Sequence, residues 1–301
     1  KAGFISDKPL GVTVEGDPET SVFRVFAPRA RSVTLRIFSD ASCNNIVREH
    51  KSLKDADGVW ETSLPGVFWG SYYGYLVDGP HGEGEGFQPK RLWVDPYARA
   101  TVHHRGPGIL IGPNGHEQET FAWSDQDFQI PPKNRLIIWE CSVRDLSTHK
   151  TSQVNREKQG KYLGLVDTIG KGSGIDHARR LGINALELLP VQEFDDDPPG
   201  AYHWGYMTSN FFSPEASYAT HPHGTQTSEF KTLVNTLHGQ NLAVILDVVY
   251  NHTGNPHHLM GFDRKYFYRH NGDLSLQNFS GCGNDFQSEN PMARRLIIDS
   301  L

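Results

Sequence analysis

An aspartate interrupts the apolar run Leu242-Ala243-Val244-Ile245-Leu246-Asp247-Val248-Val249, and Asn251 and His252 follow it closely. Burying a carboxylate in such a run is costly unless something pairs with it, so Asp247 needs a partner. Two roles fit: a member of a structural ion pair, or a site residue. His252 is more than an ordinary satisfied histidine by its position, because it stands at the end of the same run behind Asp247 and Asn251. A second concentration of chemistry lies upstream, in Tyr202-His203-Trp204-Gly205-Tyr206 followed by Phe211, Phe212, Pro214 and Tyr218. Aromatic faces suit the apolar faces of pyranose rings while nearby polar groups bond the hydroxyls, which points to a carbohydrate groove. The competing reading is a loop packed by its own aromatics.

Other groups carry less. Asp195-Asp196-Asp197 could help hold a hard cation, although a short acidic run is usually just solvated. His221, His223, His257 and His258 lack the spacing of helical metal ligands, so no zinc site is entered. Cys43, Cys141 and Cys282 are odd in number and far apart, which gives neither a disulfide framework nor a zinc pattern. Asn251-His252-Thr253 and Asn278-Phe279-Ser280 match the glycosylation tripeptide, the first at an inaccessible strand end.

The elements that position these groups change character along the chain. From Val22 to Val77 the sequence alternates in short runs such as Ser32-Val33-Thr34-Leu35-Arg36-Ile37-Phe38, which predicts an antiparallel β-sandwich as a separate domain over residues 1–100. Residues 101–134 are rich in Gly, Pro and His and read as a linker. After Asn134 the runs become continuously apolar, as buried parallel strands require: Leu136 to Trp139, Ile183 to Pro190 and Leu242 to Val249. Helical spacing falls between them, at 175–181 ahead of Gly182 and at Phe230, Leu233, Val234 and Leu237. A further helix begins near Glu289, with Pro291 in its first turn. Strand and helix alternate here as in an open doubly wound sheet or the first part of a (β/α) barrel, and spacing alone does not separate the two. In either, polar residues just past a strand collect at the active face: Glu140, Arg144 and Asp145; Gln192 and Glu193; Asp247, Asn251 and His252.

Bulk properties narrow the partners. A formal charge of -6 argues against a polyanion such as nucleic acid and leaves a neutral polymer compatible. Mean hydropathy of -0.51 leaves no room for a membrane span. The opening Lys1 to Asp7 lacks a long apolar run, and the compartment is not readable: cytoplasmic, periplasmic and secreted settings all stay open.

Taken together, these residues resemble glycoside hydrolase family 13, the α-amylase family. Asp247-Val248-Val249-Tyr250-Asn251-His252-Thr253 looks like its first signature region at the end of the third barrel strand, Leu136 to Ser147 like its first strand, and Gly182 to Phe194 like its second. Trp204-Gly205-Tyr206 with Asn210 to Glu215, and Gly281-Cys282-Gly283-Asn284, resemble the debranching branch of pullulanases, isoamylases and glycogen-debranching relatives. The N-terminal region, with Phe26-Ala27-Pro28 and Asp95-Pro96-Tyr97-Ala98, resembles a carbohydrate-binding module of family 48.

The resemblance implies a β-sandwich module at 1–100, then the first three or so β/α units of a (β/α)8 barrel at 135–301. It implies retaining cleavage of α-1,6 branch linkages in pullulan, amylopectin or glycogen by two carboxylates. Tyr206 would stack on the glucose before the cleaved bond, His252 would bond that sugar's hydroxyls, Trp204 would add substrate contact, and Asp247 and Asn251 would support them. The family's nucleophile and acid/base belong to the fourth and fifth strands and are expected beyond Leu301. No residue here is therefore assigned either role, and the chain alone is expected to be inactive. Three strands would leave edges unpaired, so the rest of the barrel is expected from the same or a second chain. No cofactor is expected; calcium is possible, with no ligand assigned. An α-1,4-acting or branching member of the family and a noncatalytic α-glucan-binding relative are the alternatives.

Overall fold

Alternation in the N-terminal third becomes sheet directly. In Ser32–Phe38, Val33, Leu35 and Ile37 point into the core while Ser32, Thr34 and Arg36 stay at least partly exposed, the period of a half-buried strand. The computed structural model describes residues 3–112, 121–198, 200–221, 223–255 and 257–301. One sheet runs Gly11–Glu15, Thr20–Phe26, Val59–Pro65 and Leu53–Lys54, all antiparallel. In the other, Ser32–Phe38 lies between Ile46–Lys51 and Tyr72–Asp78, and Leu92–Trp93 and Gly108–Ile109 both pair with Tyr72–Asp78. Phe23, Val25, Leu35, Ile37 and Tyr75 fill the space between.

Gly108–Ile109 falls past the expected sandwich boundary at residue 100. The stretch that reads as linker returns to the sheet because Gly108 can lie flat on Tyr73, where a Cβ would come within 2.7 Å of the ring. Residues 113–120 of the expected linker lie outside the described residues.

The later half begins a (β/α)8 barrel. Ile138–Cys141, Ala185–Leu188 and Ala243–Leu246 are parallel and adjacent in that order, with Glu140 opposite Glu187 and Glu187 opposite Ile245. Helices Tyr162–Val166 and Gly174–Arg180 connect the first pair of strands, and Gln226–Gly239 precedes the third. Each apolar run is longer than its strand. The first enters the sheet only at Ile138 because the Asn184 side chain holds the residues before it, accepting from Ile137 N at 2.7 Å and donating to Arg135 O at 2.8 Å. Ile138, on the face of Glu140 and Glu187, is 45% exposed, and Leu246, on the opposite face with Cys141 and Leu188, is 46% exposed at the third strand. Among the described residues no helix is long and apolar enough to cross a membrane.

Two further elements complete the frame. Gln192–Phe194 and Thr208–Pro214 form an antiparallel pair beside the barrel strands. Helix His258–Phe267, with helix Pro291–Asp299, packs into the sandwich rather than the barrel, so that Phe262, Tyr266, Phe267 and Leu296 share one core with Phe26, Tyr75 and Trp93. Gly261 lies against Trp93 so closely that a Cβ would meet the indole at 2.1 Å. Arg29 of the sandwich reaches fully buried Asp263 through Nε at 3.0 Å to both carboxylate oxygens, and its other nitrogens bond Glu85 at 2.9 Å. The sandwich expected as a separate domain thus shares its interior with the barrel half.

Candidate functional site

The third strand ends on Asp247, whose backbone N donates to Leu188 O at 3.1 Å, so the ladder carries it to the carboxyl edge. The required partner is Tyr206, whose hydroxyl donates to Asp247 Oδ2 at 2.6 Å. Burial and then this carboxylate raise the Tyr206 phenol above its ordinary range. Gly205 makes the turn that aims Tyr206. Its φ is +94°, and a Cβ there would come within 2.7 Å of Pro190 O, so both conformation and space demand glycine.

His252 is buried, with Nε2 at 2.9 Å from Tyr206 O and Nδ1 at 2.8 Å from Asn251 Oδ1. A carbonyl only accepts, so Nε2 carries the hydrogen in the bond to Tyr206 O. His252 therefore fixes the backbone under Tyr206, and a sugar hydroxyl must share its nitrogens with the protein. Behind it, Asn284 clamps the turn: its Oδ1 accepts from Thr253 N at 3.0 Å and its Nδ2 donates to Thr253 O at 2.8 Å. The Gly281-Cys282-Gly283-Asn284 stretch thereby holds the end of the third strand.

The aromatic cluster divides in two. Phe211 and Tyr218 are buried, Phe211 stacking on Tyr250 at 5.3 Å, and half-buried Phe212 stacks on Tyr97 at 4.4 Å. Those are packing residues, as the competing reading expected. Tyr202 and Trp204 are 54% and 63% exposed, and with half-buried Tyr206 they make up the aromatic arm of the loop between Gln192–Phe194 and Thr208–Pro214. Tyr202 is anchored by the first strand's polar residues, donating to Asp145 Oδ2 at 3.1 Å while the Arg144 guanidinium sits 5.5 Å over its ring.

Leu301 follows helix Pro291–Asp299 as an exposed apolar side chain. Tyr206, Asp247 and His252 form one hydrogen-bonded unit at the end of the third strand.

Glu193 and Asp196, entered above as a strand-end polar residue and part of an acidic run, join Glu215 in a group that was not expected. All three are buried, with ligand oxygens within 4.8 Å of one another. Glu193 Oε2 accepts from Ala216 N at 2.8 Å, Glu215 accepts from Ser217 N at 2.8 Å and Phe194 N at 3.1 Å, and Asp196 meets His104 Nδ1 at 3.1 Å. Burial pushes Glu215 up to about 7 and Glu193 well above the usual carboxylate range. Three carboxylates so close need protons or a cation, and an all-oxygen donor set suits a hard ion such as calcium. The sequence signal was faint: an i, i+3 acidic pair after the second strand and a glutamate beyond the next apolar stretch. Exposed Asp197 pairs with Arg105 instead.

Residues 9–98 match the family model "Carbohydrate-binding module 48 (Isoamylase N-terminal domain)", and residues 148–278 match "Alpha amylase, catalytic domain". Chloroplastic isoamylase 3 of Oryza sativa subsp. japonica is 34% identical, over 97% of this chain and 41% of its own length. The pullulanase of Bacillus subtilis strain 168 is 33% identical, over 99% of the chain and 41% of its own. The chain belongs to the α-amylase family. Among α-amylase-family structures, a pullulanase variant from Paenibacillus barengoltzii complexed with maltotriose superposes with a TM-score of 0.84 at 29% identity, covering 99% of this chain and 47% of that one. Isoamylases, pullulanases and glycogen operon GlgX homologues among its relatives put this α-amylase-family chain in the debranching branch, with a family-48 module at its N-terminal end. It spans about two-fifths of the length of the relatives it matches.

Proposed function

We propose that this chain is the glucan-recognition part of a debranching glycoside hydrolase that cleaves α-1,6 branch linkages in pullulan, amylopectin or glycogen. The observation that carries the reading is the coupling of Tyr206, Asp247 and His252: one hydroxyl–carboxylate bond and one imidazole–carbonyl bond hold an aromatic ring at the carboxyl edge of barrel strands. Such a ring presents an apolar platform to a glucose face, and its fixed geometry reduces the entropy lost on binding. Trp204 extends the platform. The relatives act in the same sense by name, as isoamylases and pullulanases, and the pullulanase structures include complexes with maltose and maltotriose. Retaining cleavage needs a nucleophile and an acid, which on this reading come from barrel strands other than the three present. In the protein that carries the whole barrel, release of maltotriose from pullulan tests the assignment, and activity confined to α-1,4 linkages overturns it.

We also propose that Glu193, Asp196 and Glu215 take a hard divalent cation, calcium foremost. The support is their proximity and all-oxygen chemistry. Such an ion would neutralise the trio and brace the hairpin that carries the aromatic arm, without touching substrate.

A further inference from the structure

A single exposed apolar side chain is ordinary, but Phe279 differs in how it is held. Its ring is 87% exposed, yet the backbone beneath is tied down: the N–H groups of Phe279 and Ser280 donate to the buried Asp285 carboxylate at 2.7 and 2.9 Å. Asn278 Oδ1 accepts from Gly283 N at 2.6 Å, and Ser280 Oγ donates to Asn284 O at 2.8 Å. The turn is rigid on both sides, so the ring is presented at a fixed angle.

Around it lies a cavity of about 370 Å³ lined by Phe279, Asn251, Arg269, Asp285 and Ser288 among others, within the range of roughly 300–1,000 Å³ usual for small-molecule pockets. The exposed Phe279 face, beside the rings of Tyr250 and Phe286 and next to an amide, a guanidinium that also pairs with Glu289, a carboxylate and hydroxyls, offers the mixture that a neutral polyol with an apolar face requires. A protein partner would want a contiguous apolar patch instead. Asn251 belongs to this cavity and also contacts His252 at 2.8 Å, and Phe286 N donates to Asn251 O at 2.9 Å, so the cavity adjoins the Tyr206–His252 pair.

We infer that Phe279 forms the platform of a further glucose subsite on the same α-glucan, its ring against the apolar face of one glucose unit and the polar rim against the hydroxyls. This rests on the glucan reading proposed above. It also gives Asn278-Phe279-Ser280 a use that does not depend on glycosylation.

Titration of the intact protein with maltotriose and maltohexaose tests it. Phe279→Ala should weaken maltohexaose about tenfold, the loss of roughly 1.4 kcal/mol, with an unchanged melting midpoint, and Phe279→Trp should restore the affinity. Unchanged maltohexaose affinity in Phe279→Ala, alongside a loss in Trp204→Ala, overturns the subsite and leaves the glucan reading standing. Affinity unchanged in both variants, or no binding by the unaltered protein, overturns the two together.

Discussion

The Tyr206 hydroxyl and the Asp247 carboxylate meet at 2.6 Å, which ties the loop after the second barrel strand to the end of the third. Tyr206→Phe keeps the ring and removes the bond, leaving a half-buried carboxylate without its donor. The expected cost is about 1–2 kcal/mol of stability with most maltotriose affinity retained. Tyr206→Ala should lose both. Urea unfolding and oligosaccharide titration, run on the two variants in parallel, separate the contributions. Equal affinity in the Ala variant and the unaltered protein would remove Tyr206 from the site.

His252→Ala should act differently, because its ring supports the Tyr206 backbone from a buried position. In the protein with the whole barrel, turnover should fall more than the melting midpoint does. A fall in stability with unchanged kcat and KM would leave His252 a purely structural brace.

Stability should respond to pH through two opposed groups at the seam between sandwich and barrel. Burial pushes His258 down to about 4 from 6.5; its Nε2 meets His104 O at 2.8 Å. The folded state keeps it neutral while the unfolded chain takes up a proton, so its contribution is present above pH 6.5 and is lost as pH falls toward 4. Burial pushes Asp95 up to about 6 from 3.8, so its contribution is present below 3.8 and is lost as pH rises through 6. In the overlap the slopes oppose. Asp95→Asn should therefore steepen the acid-side loss and His258→Gln should flatten it, read from urea melts across that interval; parallel profiles for all three proteins would refute the assignment.

Arg29 is the only residue within ion-pair distance of the fully buried Asp263 among the described residues. Arg29→Met should cost about 3–5 kcal/mol, since it strands a buried charge, and Arg29→Lys should recover only part, because a point charge cannot span Asp263 and Glu85 as the guanidinium does. Chemical denaturation checks both.

Calcium should raise the melting midpoint reversibly, a chelator should lower it again, and Glu193→Gln should abolish the response. A midpoint indifferent to calcium would leave the trio held by protons alone.

The barrel strands and the site at their ends were legible because burial on both faces writes continuous apolar runs, and Asp247 stood out against one of them. The partner of Asp247 was not legible: Tyr206 lies 41 positions away, and only the Gly205 turn brings it back. Phe211 and Tyr218 read as groove residues because composition does not say which way a ring points; pairing of Thr208–Pro214 with Gln192–Phe194 decides it for Phe211, and the turn Ala216–Tyr218 after that strand for Tyr218. The acidic trio escaped for the same reason, since its third member arrives across that pairing. Helix His258–Phe267 was missed because non-helical Asp263 breaks its run, which blurs the period.

The shared interior has a consequence for synthesis. A chain emerging from the ribosome can pair the strands of its first hundred residues early, but the side chains that close that core, Phe262, Tyr266 and Leu296, follow some two hundred positions later. Until they arrive the nascent sandwich carries an uncovered oily flank, and this is the stage at which a chaperone would be needed most.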